Sequence, residues 1–561
     1  MRARPWIVTA SAGLVLADAS IVTLALPELL GALDTTVEGV AAVIAVYTLA
    51  LALALLPAER LLRRAGAART GAGGFVLFAL ASAVCAGADS LAVLLAARAV
   101  QAIGGAAGLI AAFELIAGGT PAGRRHWLGA AVLASAAGPA LGGALTQAFD
   151  WRAIFIAQVP LALAGALAAR AAPPQTPAAL DERHSDPPYG DEVVAHWSAG
   201  ARVGDFVALA LVSAALTAVL FGLVLLLVAG WAVQPLVAAA TVTVLPLAAL
   251  AGARLRGAPR ARATAGALLV GGGVLALAWL PGTSVAWTLV PQALAGVGMG
   301  LALPAFAGEL LPERQPHDAA RLLTIRHAGI ALVLVALAPL IAARLEVVTE
   351  RAQQQGVALV LDARLPPQDK LALAPALLAG IEATRPRDGL ERALDVRRAD
   401  YEGDERIAYE TLGARADETL VSAVGDAFRP AFLLAGVLAL LGAVALAIRA
   451  AVPRRGPLLL AAALALAAPA AYAALHAARA PEPVAIADPC EPRDLPDAGG
   501  ISGFLQDRAL EALDAAACRL GSSREELVLA FASSEAAERF ERRHGVDPRS
   551  VESLLRGLIA P

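Results

Sequence analysis

Apolar runs alternate with short arginine-bearing stretches along most of this chain. A helix rises ~1.5 Å per residue, so ~20 apolar residues cross the hydrocarbon core of a bilayer. Thirteen runs come close to that length, over residues 6–30, 39–58, 71–91, 93–118, 127–149, 153–171, 204–229, 235–253, 263–280, 285–308, 322–343, 430–451 and 457–478. The pattern predicts an all-α integral membrane protein. The first run follows Arg2 and Arg4, as a signal peptide would, but it is too long for one and carries an acid at its centre. It reads as an uncleaved first span.

Arginine placement tests the count, because short cytoplasmic loops favour basic residues. With the N-terminus in the cytoplasm and strict alternation, the short cytoplasmic segments hold 21 arginines, Arg60, Arg124, Arg254 and Arg454 among them, whereas the short outer loops hold only Arg152. An odd number of spans then carries the C-terminus outside.

The same reading divides the chain. Residues 1–172 form a six-helix bundle, 173–203 a cytoplasmic linker rich in Pro, Asp and Glu, and 204–343 spans 7–11 of a second bundle. Residues 344–429 form an extracytoplasmic insertion, where Leu371, Leu373, Leu377, Leu378 and Ile381 recur at helical spacing. Span 12 lies in 430–452 and span 13 in 453–478, ahead of a small extracytoplasmic helical domain at 479–561. In that domain Ser502 is expected to cap a helix with Leu505, Leu510 and Leu513 on one face, ending near Gly521. Ser523 and Glu526 form a capping box for the next helix, and Asp547-Pro548 starts the last. Cys490 and Cys518 are the only cysteines outside the spans. An oxidising exterior permits a disulfide between them; the other reading is two unrelated thiols in a cytoplasmic tail.

Composition fits a membrane protein: 58% hydrophobic and 17% charged residues, with a mean hydropathy of +0.66. The net charge of −3 gives no reason to expect nucleic acid as a partner. Lys370 is the only lysine, which reads as the codon bias of a GC-rich bacterial genome. No phosphate loop, no metal-spaced Cys/His cluster and no nucleophile motif is present, which argues against an enzyme, a metal or a cofactor. The energy source left is an ion gradient, worth ~2.3 kcal/mol per charge per 100 mV.

Candidate chemistry rests on few residues. Asp18 sits midway along the first run, where an ionised Asp costs ~2.5–3.5 kcal/mol to insert. It must pair, face water or stay protonated, and so suits a proton carrier; the plainer reading is a hydrogen bond to a neighbouring helix. Arg98, near the start of span 4, is its expected counter-charge, or else snorkels outward. Glu114 and Glu309, near the cytoplasmic ends of spans 4 and 10, either relay protons or only reach interfacial water. Gln101, Gln158 and Gln292 are expected to line a cavity, Met299 and Phe306 either to give it an apolar wall or to face lipid or pack, and Arg326 to serve in the cavity or a relay. His327 reads as a solvated neighbour of Arg326.

Several stretches carry a resemblance. Span 5 continues through AGPALGGALTQAFDWRAIFIAQVP at 137–160, where Gly138, Pro139, Gly142 and Gly143 interrupt an apolar run and permit close helix approach. This resembles the antiporter motif of major facilitator superfamily exporters. LADASIVTLALPEL from Leu16 is similar to the span-1 signature of the fourteen-span drug/proton antiporter branch, with Ser20 replacing a threonine. RAVQAIGG from Arg98 resembles the superfamily's Arg-x-x-Gln motif, and TIRHAG from Thr324 that branch's penultimate-span motif. QAIGG from Gln101 and QALAG from Gln292 stand six spans apart, as in a parallel repeat.

The resemblance implies two six-helix bundles; the span count adds one extra C-terminal transmembrane helix beyond the superfamily's even number, and the polar segments add small helical extramembrane domains. It implies a monomer in a bacterial plasma membrane that exports small hydrophobic or amphipathic compounds in exchange for protons. The alternatives are export of an endogenous metabolite or lipid, and a non-transporting sensor or scaffold. Two departures stand out. The loop between spans 2 and 3 reads ERLLRRAGAARTG from Glu59, with Arg63 where the family has an acid that locks the halves. The branch's central hairpin is missing.

Overall fold

The structure is a computed structural model that describes residues 4–117, 127, 137–172, 199–311, 315–381, 386–448, 456–480, 484–492 and 500–550. It is built from helices, with no strand among the described residues. Twelve helices there are long and apolar enough to cross a membrane. They match the predicted spans except span 5, of which only the helix at 137–148 and Trp127 are described. Of the linker expected at 173–203, residues 173–198 lie outside the described residues, while 199–203 belong to the helix Ala199–Val224 of span 7, which therefore starts before its apolar run. The arginines at 449, 454 and 455 also lie outside the described residues.

Two compact units emerge. The first takes Met1–Val228, Val233–Ala342 and Phe428–Ala478; the second takes Ala229–Ala232, Ala343–Ala427 and Arg479–Pro561.

The first unit is the span bundle. Span 1 is the helix Arg4–Thr23, shorter than its apolar run, followed by a separate short helix Leu26–Ala32 with Pro27 in its first turn. Span 2 is Val37–Ala65, capped by Thr36, whose side chain accepts a hydrogen bond from the Gly39 amide. It stops at Gly66, whose φ of +79° suits a residue without a Cβ. Spans 3 and 4 are Ala67–Ala86 and Leu91–Ala117. They meet backbone to backbone: a Cβ on Gly74 would fall 2.8 Å from the Gly104 carbonyl oxygen. The second half repeats the device between span 9, Pro259–Ala276, and span 10, Ala286–Phe306, where a Cβ on Gly273 would fall 2.6 Å from the Pro291 carbonyl oxygen. Such close approach gives helices packing contact in a solvent as apolar as they are. Leu53, Leu167, Leu332 and Leu466 are each 70–73% exposed, which water would penalise and lipid does not.

Spans 11 and 12 depart from expectation. The helix expected at 322–343 runs from Pro316 to Asp362, and the one expected at 430–451 lies within Gly403–Ala447. The apolar pattern ends near Ala343, but the following RLEVVTERAQQQ is rich in good helix formers and holds no glycine or proline. Loss of hydrophobicity therefore does not mark the helix end.

The second unit joins two distant segments of the chain that the sequence reading separates. Val357 packs with Leu529 and Ala536, against Leu361, Leu378 and Val528. A second core gathers Ala517, Leu527, Ala530 and Phe540. Arg524 is fully buried and reaches Asp362 at 2.8 Å and Glu525 at 2.9 Å, while Arg539 reaches Glu350 at 3.4 Å. A disulfide joins Cys490 to Cys518. Ser523 caps Arg524–Ala532 by accepting from the Glu526 amide at 3.0 Å. Ser502 is not a cap: the helix begins at Gly500 and ends at Leu520, before Gly521. Leu510 is buried, but Leu505 is exposed. The turn at Asp547 is described; the helix expected after it lies outside the described residues. Lys370 donates to the Leu361 carbonyl at 2.7 Å, and burial pushes its amine down to about 8.

Candidate functional site

Asp18 and Arg98 meet inside the span bundle. Arg98 Nη1 lies 2.6 Å from Asp18 Oδ2, and both side chains are fully buried. Span 1 supplies the acid and span 4 the base. Span 6, Arg152–Arg170, supplies Gln158, whose Nε2 donates to Asp18 Oδ1 at 2.8 Å. Gln101 stands one turn beyond Arg98 on span 4. Its Oε1 accepts from Arg98 Nη1 at 2.6 Å, and its Nε2 donates to Gln158 Oε1 at 2.7 Å. The four side chains thus close a ring: Asp18, Gln158, Gln101, Arg98. Ser82 of span 3 braces it by accepting from Gln101 Nε2 at 2.8 Å. Tyr47 of span 2 lies under Arg98, with the guanidinium carbon 4.0 Å from the ring centre, and its hydroxyl donates to the Val15 carbonyl.

The ring has a direction. Arg98 only donates, so Gln101 must turn its oxygen toward it; Gln158 must then accept from Gln101 and donate to Asp18. Both amides are orientated by charges at the two ends. Removing either charge leaves the other buried and uncompensated, at a cost of about 3–5 kcal/mol.

A cavity of about 120 Å³ lies close by. Spans 1, 2 and 5 bring Leu16, Ser20, Thr48 and Pro139 to its wall; spans 7, 8, 10 and 11 bring Ser213, Leu245, Gln292, Met299, Arg326 and His327. Asp18 and Arg98 are not on its wall; Asp18 lies two residues before Ser20, about 200° around the helix. The glycines at 138, 142 and 143 are also in close contact here. A Cβ on Gly138 would overlap the Ser20 side chain, and one on Gly142 the Ile21 carbonyl. One on Gly143 would overlap Ala239 of span 8. The helix at 137–148 therefore presses span 1 on one side and span 8 on the other.

The halves are tied at two places. Gln147 accepts from the Leu236 amide at 2.8 Å, joining spans 5 and 8. Thr324 donates to the Ala52 carbonyl at 3.2 Å, and His317 Nδ1 lies 3.8 Å from Glu59 Oε2, joining spans 11 and 2. Glu59 also pairs with Arg63. An acid is thus present in the loop region where Arg63 displaces the family's own, one turn earlier on span 2.

The predicted site residues divide. Asp18, Arg98, Gln101 and Gln158 form the ring; Gln292, Arg326 and Met299 line the cavity. Gln101 and Gln158 do not line it, as the sequence reading expected, because their amides are spent within the ring. Glu114 is buried away from the cavity wall, and Glu309 pairs with Arg262 at 2.9 Å in the turn after span 10. Phe306 is buried and off the wall, and His327 is on it and buried, not solvated. Sequence reasoning missed Ser82, Tyr47 and a second buried ion pair, Asp205 of span 7 with Arg260 of span 9 at 3.0 Å. Asp205 is the lone acid of its run, but its place at the run's start makes it read as an ordinary interfacial acid.

The sequence profile of the Major Facilitator Superfamily matches residues 8–343. The chain belongs to the Major Facilitator Superfamily. A solved relative with the same fold is a bacterial homologue of the human lysosomal transporter Spinster, in an inward-facing, unoccupied conformation. It is 14% identical, covers 80% of this chain and 98% of its own, and gives a TM-score of 0.51. The chain is thus an all-helical, multi-pass member of a transporter superfamily and falls among transporters, not enzymes. Curated relatives include the drug efflux pump JefA of Mycobacterium tuberculosis, 32% identical over 154 residues, covering 26% of this chain and 30% of the pump. The tetracenomycin C resistance and export protein of Streptomyces glaucescens is 32% identical over 177 residues, covering 30% of this chain and 33% of that protein. The match spans about a third of the length of these relatives.

Proposed function

We propose that this chain exports hydrophobic or amphipathic compounds across a bacterial plasma membrane in exchange for protons, by alternating access between its two halves. The ring of Asp18, Gln158, Gln101 and Arg98 carries this reading. Protonation of Asp18 removes the anion that holds Arg98 and that sets the direction of both amides. The ring then loses its reason to stay closed, and spans 1, 4 and 6 lose a shared tie. Span 1 is also the wall that Ser20 and Leu16 give to the cavity, so a proton on Asp18 changes the cavity without touching the substrate. The relatives named as efflux and resistance proteins support export as the direction. The cavity is smaller than the ~300–1,000 Å³ of drug-sized pockets, so entry requires the ties at Gln147 or at Glu59 and Thr324 to part. The second unit and the C-terminus lie outside the cell in this reading, where the Cys490–Cys518 disulfide is favoured.

Proteoliposomes that report internal pH test the coupling. Addition of a transported compound should drive proton movement in wild type and none in Asp18→Asn. Substrate movement without proton movement would overturn the exchange mechanism. An impermeant thiol reagent on intact cells tests orientation. Labelling at Cys490 and Cys518 should need reductant but not permeabilisation; labelling only after permeabilisation would place them inside.

A further inference from the structure

We propose that Tyr47 is a positioning residue for Arg98: it keeps the guanidinium seated on span 2 while Asp18 is neutral, so that a proton frees span 1 and not the arginine. This rests on the exchange reading above and deepens it. Val43 and Tyr47 stand one turn apart on the same face of span 2. Arg98 Nε donates to the Val43 carbonyl at 3.3 Å, and the guanidinium carbon lies 4.0 Å from the centre of the Tyr47 ring. Arg98 Nη1 donates to Gln101 on its own span, whereas Nη2 is buried with no hydrogen-bond partner among the described residues. The ring face therefore meets charge that the hydrogen bonds leave unmet. Phe155 of span 6 is 5.7 Å away, at the edge of the ~6 Å range over which a ring attracts a cation. Arg98 is fully buried and Tyr47 is 1% exposed, so water does not weaken the contact.

Neutralising Asp18 makes this contact worth more. Beside an ionised Asp18 the charge of Arg98 is largely balanced, and a ring face adds little. With Asp18 protonated, the same guanidinium is a lone cation in an apolar bundle, where cation–π attraction is strongest. The ring thus favours the protonated state over the ionised one. Its hydroxyl donates at 3.1 Å to the Val15 carbonyl, one turn before Asp18, which fixes the ring against span 1 as well. Among the described residues, the titratable groups facing the pair are the Tyr47 hydroxyl and the Cys85 thiol of span 3, both neutral at about pH 5–7. Span 6 brings Gln158 and Phe155, the helix at 137–148 holds no titratable residue, and Asp205 of span 7 is taken by Arg260.

Thermal unfolding of the full-length protein in lipid nanodiscs tests the seat without transport. Tyr47→Leu should lower the unfolding temperature further in Asp18→Asn than in wild type, and least in Arg98→Gln. Tyr47→Phe keeps the ring and should show the same small loss in all three. Equal losses for Tyr47→Leu in the three backgrounds would make Tyr47 an ordinary packing residue and overturn the proposal. Should Tyr47→Leu not fold, fluorinated phenylalanines placed at position 47 keep the shape and drain the ring face. Unfolding temperature should then fall stepwise with fluorine number in Asp18→Asn and hardly at all in Arg98→Gln; a loss independent of fluorine number overturns the seat. In proteoliposomes, Tyr47→Leu should move the half-maximal pH of exchange toward acid by roughly 0.3–1 unit relative to Tyr47→Phe, because protonation would then strand a less supported cation. An unmoved profile in an exchanging Tyr47→Leu protein counts against the proposal in the same way. The two readings fail separately. If unfolding shows the coupling yet no proton moves, the seat stands and the exchange reading fails. If exchange persists and the losses are equal, the seat fails and exchange stands.

Discussion

The bundle holds two buried aspartates, each facing an arginine, and they are not equivalent. Asp18 and Arg98 are both fully buried, and each is bound further by a glutamine. Asp205 is as deeply buried, but its partner Arg260 keeps 24% of its side chain exposed and also donates to the Leu446 carbonyl. Asp18 lies midway along span 1 and pairs with span 4, whereas Asp205 lies near the start of span 7 and pairs with span 9, so the pairs do not stand at equivalent places in the two halves. An arginine that reaches solvent can be rehydrated when its partner changes; one sealed among side chains cannot. In the mechanism proposed above, the second pair is then a clasp near a helix end, and the first a switch whose two states differ by a whole buried charge.

That contrast is open to direct tests. The largest effect belongs to Asp18→Asn, which should abolish proton-driven uphill export while leaving downhill exchange of substrate. It should also cost up to about 3–5 kcal/mol of stability by stranding Arg98. Asp18→Asn combined with Arg98→Gln should recover much of the stability and none of the coupling, as read by thermal unfolding and vesicle transport. Recovery of coupling in the double variant would make the ring a clasp like the other.

Gly142→Leu comes next. Overpacking against Ile21 of about 1–3 kcal/mol in one conformation should slow cycling roughly 5- to 100-fold with near-normal expression. Gly273→Leu, which wedges the static contact of spans 9 and 10, should lower expression instead. Equal behaviour of the two would remove span 5 from the moving parts.

Asp205→Asn should be milder. It should lower stability by about 1 kcal/mol, as expected for a pair with one partly solvated member, and leave transport close to wild type. Loss of coupling in Asp205→Asn would erase the distinction between the pairs.

A pH-dependent effect lies in the second unit, where a buried lysine amine donates to the Leu361 carbonyl. The Lys370 amine titrates at about 8 in the folded protein against an ordinary 10.5. Between those values the unfolded chain holds the extra proton, so stability rises with pH across that window and is flat below it. Lys370→Met should flatten the rise, as seen in unfolding of the purified protein at pH 7.5 and 9.5.

Much of the switch was legible in the chain. An acid inside an apolar run has few places to go, and the arginine of a nearby span was its natural partner. The glycines at 138, 142 and 143 announced close contact because nothing else explains them in so apolar a run. The closed ring was not legible. Gln101 and Gln158 read as cavity residues because hydropathy locates a helix along the chain and leaves its rotation open. A rotation of one residue, ~100°, separates the ring from the cavity wall. The clasp was missed for a different reason: Asp205 sits so near the start of its span that an interfacial acid needs no explanation. The second unit was divided in two because its halves share no local signal; only the small size of each core hinted that neither would suffice alone.

The ion pair between Asp362 and Arg524 bridges 162 residues of chain. A ribosome must therefore finish spans 12 and 13 and most of the C-terminal segment before the insertion can complete its own core. Until then Val357 waits without Leu529 and Ala536, its apolar face uncovered. Chains stopped between about residues 480 and 536 would carry an intact set of spans beside an unfinished soluble face, the kind of surface that holdases bind and quality-control proteases sample. Completion of this core is then timed by a segment made after all the described spans, and a nonsense change there would act on abundance before it acted on any role of the spans.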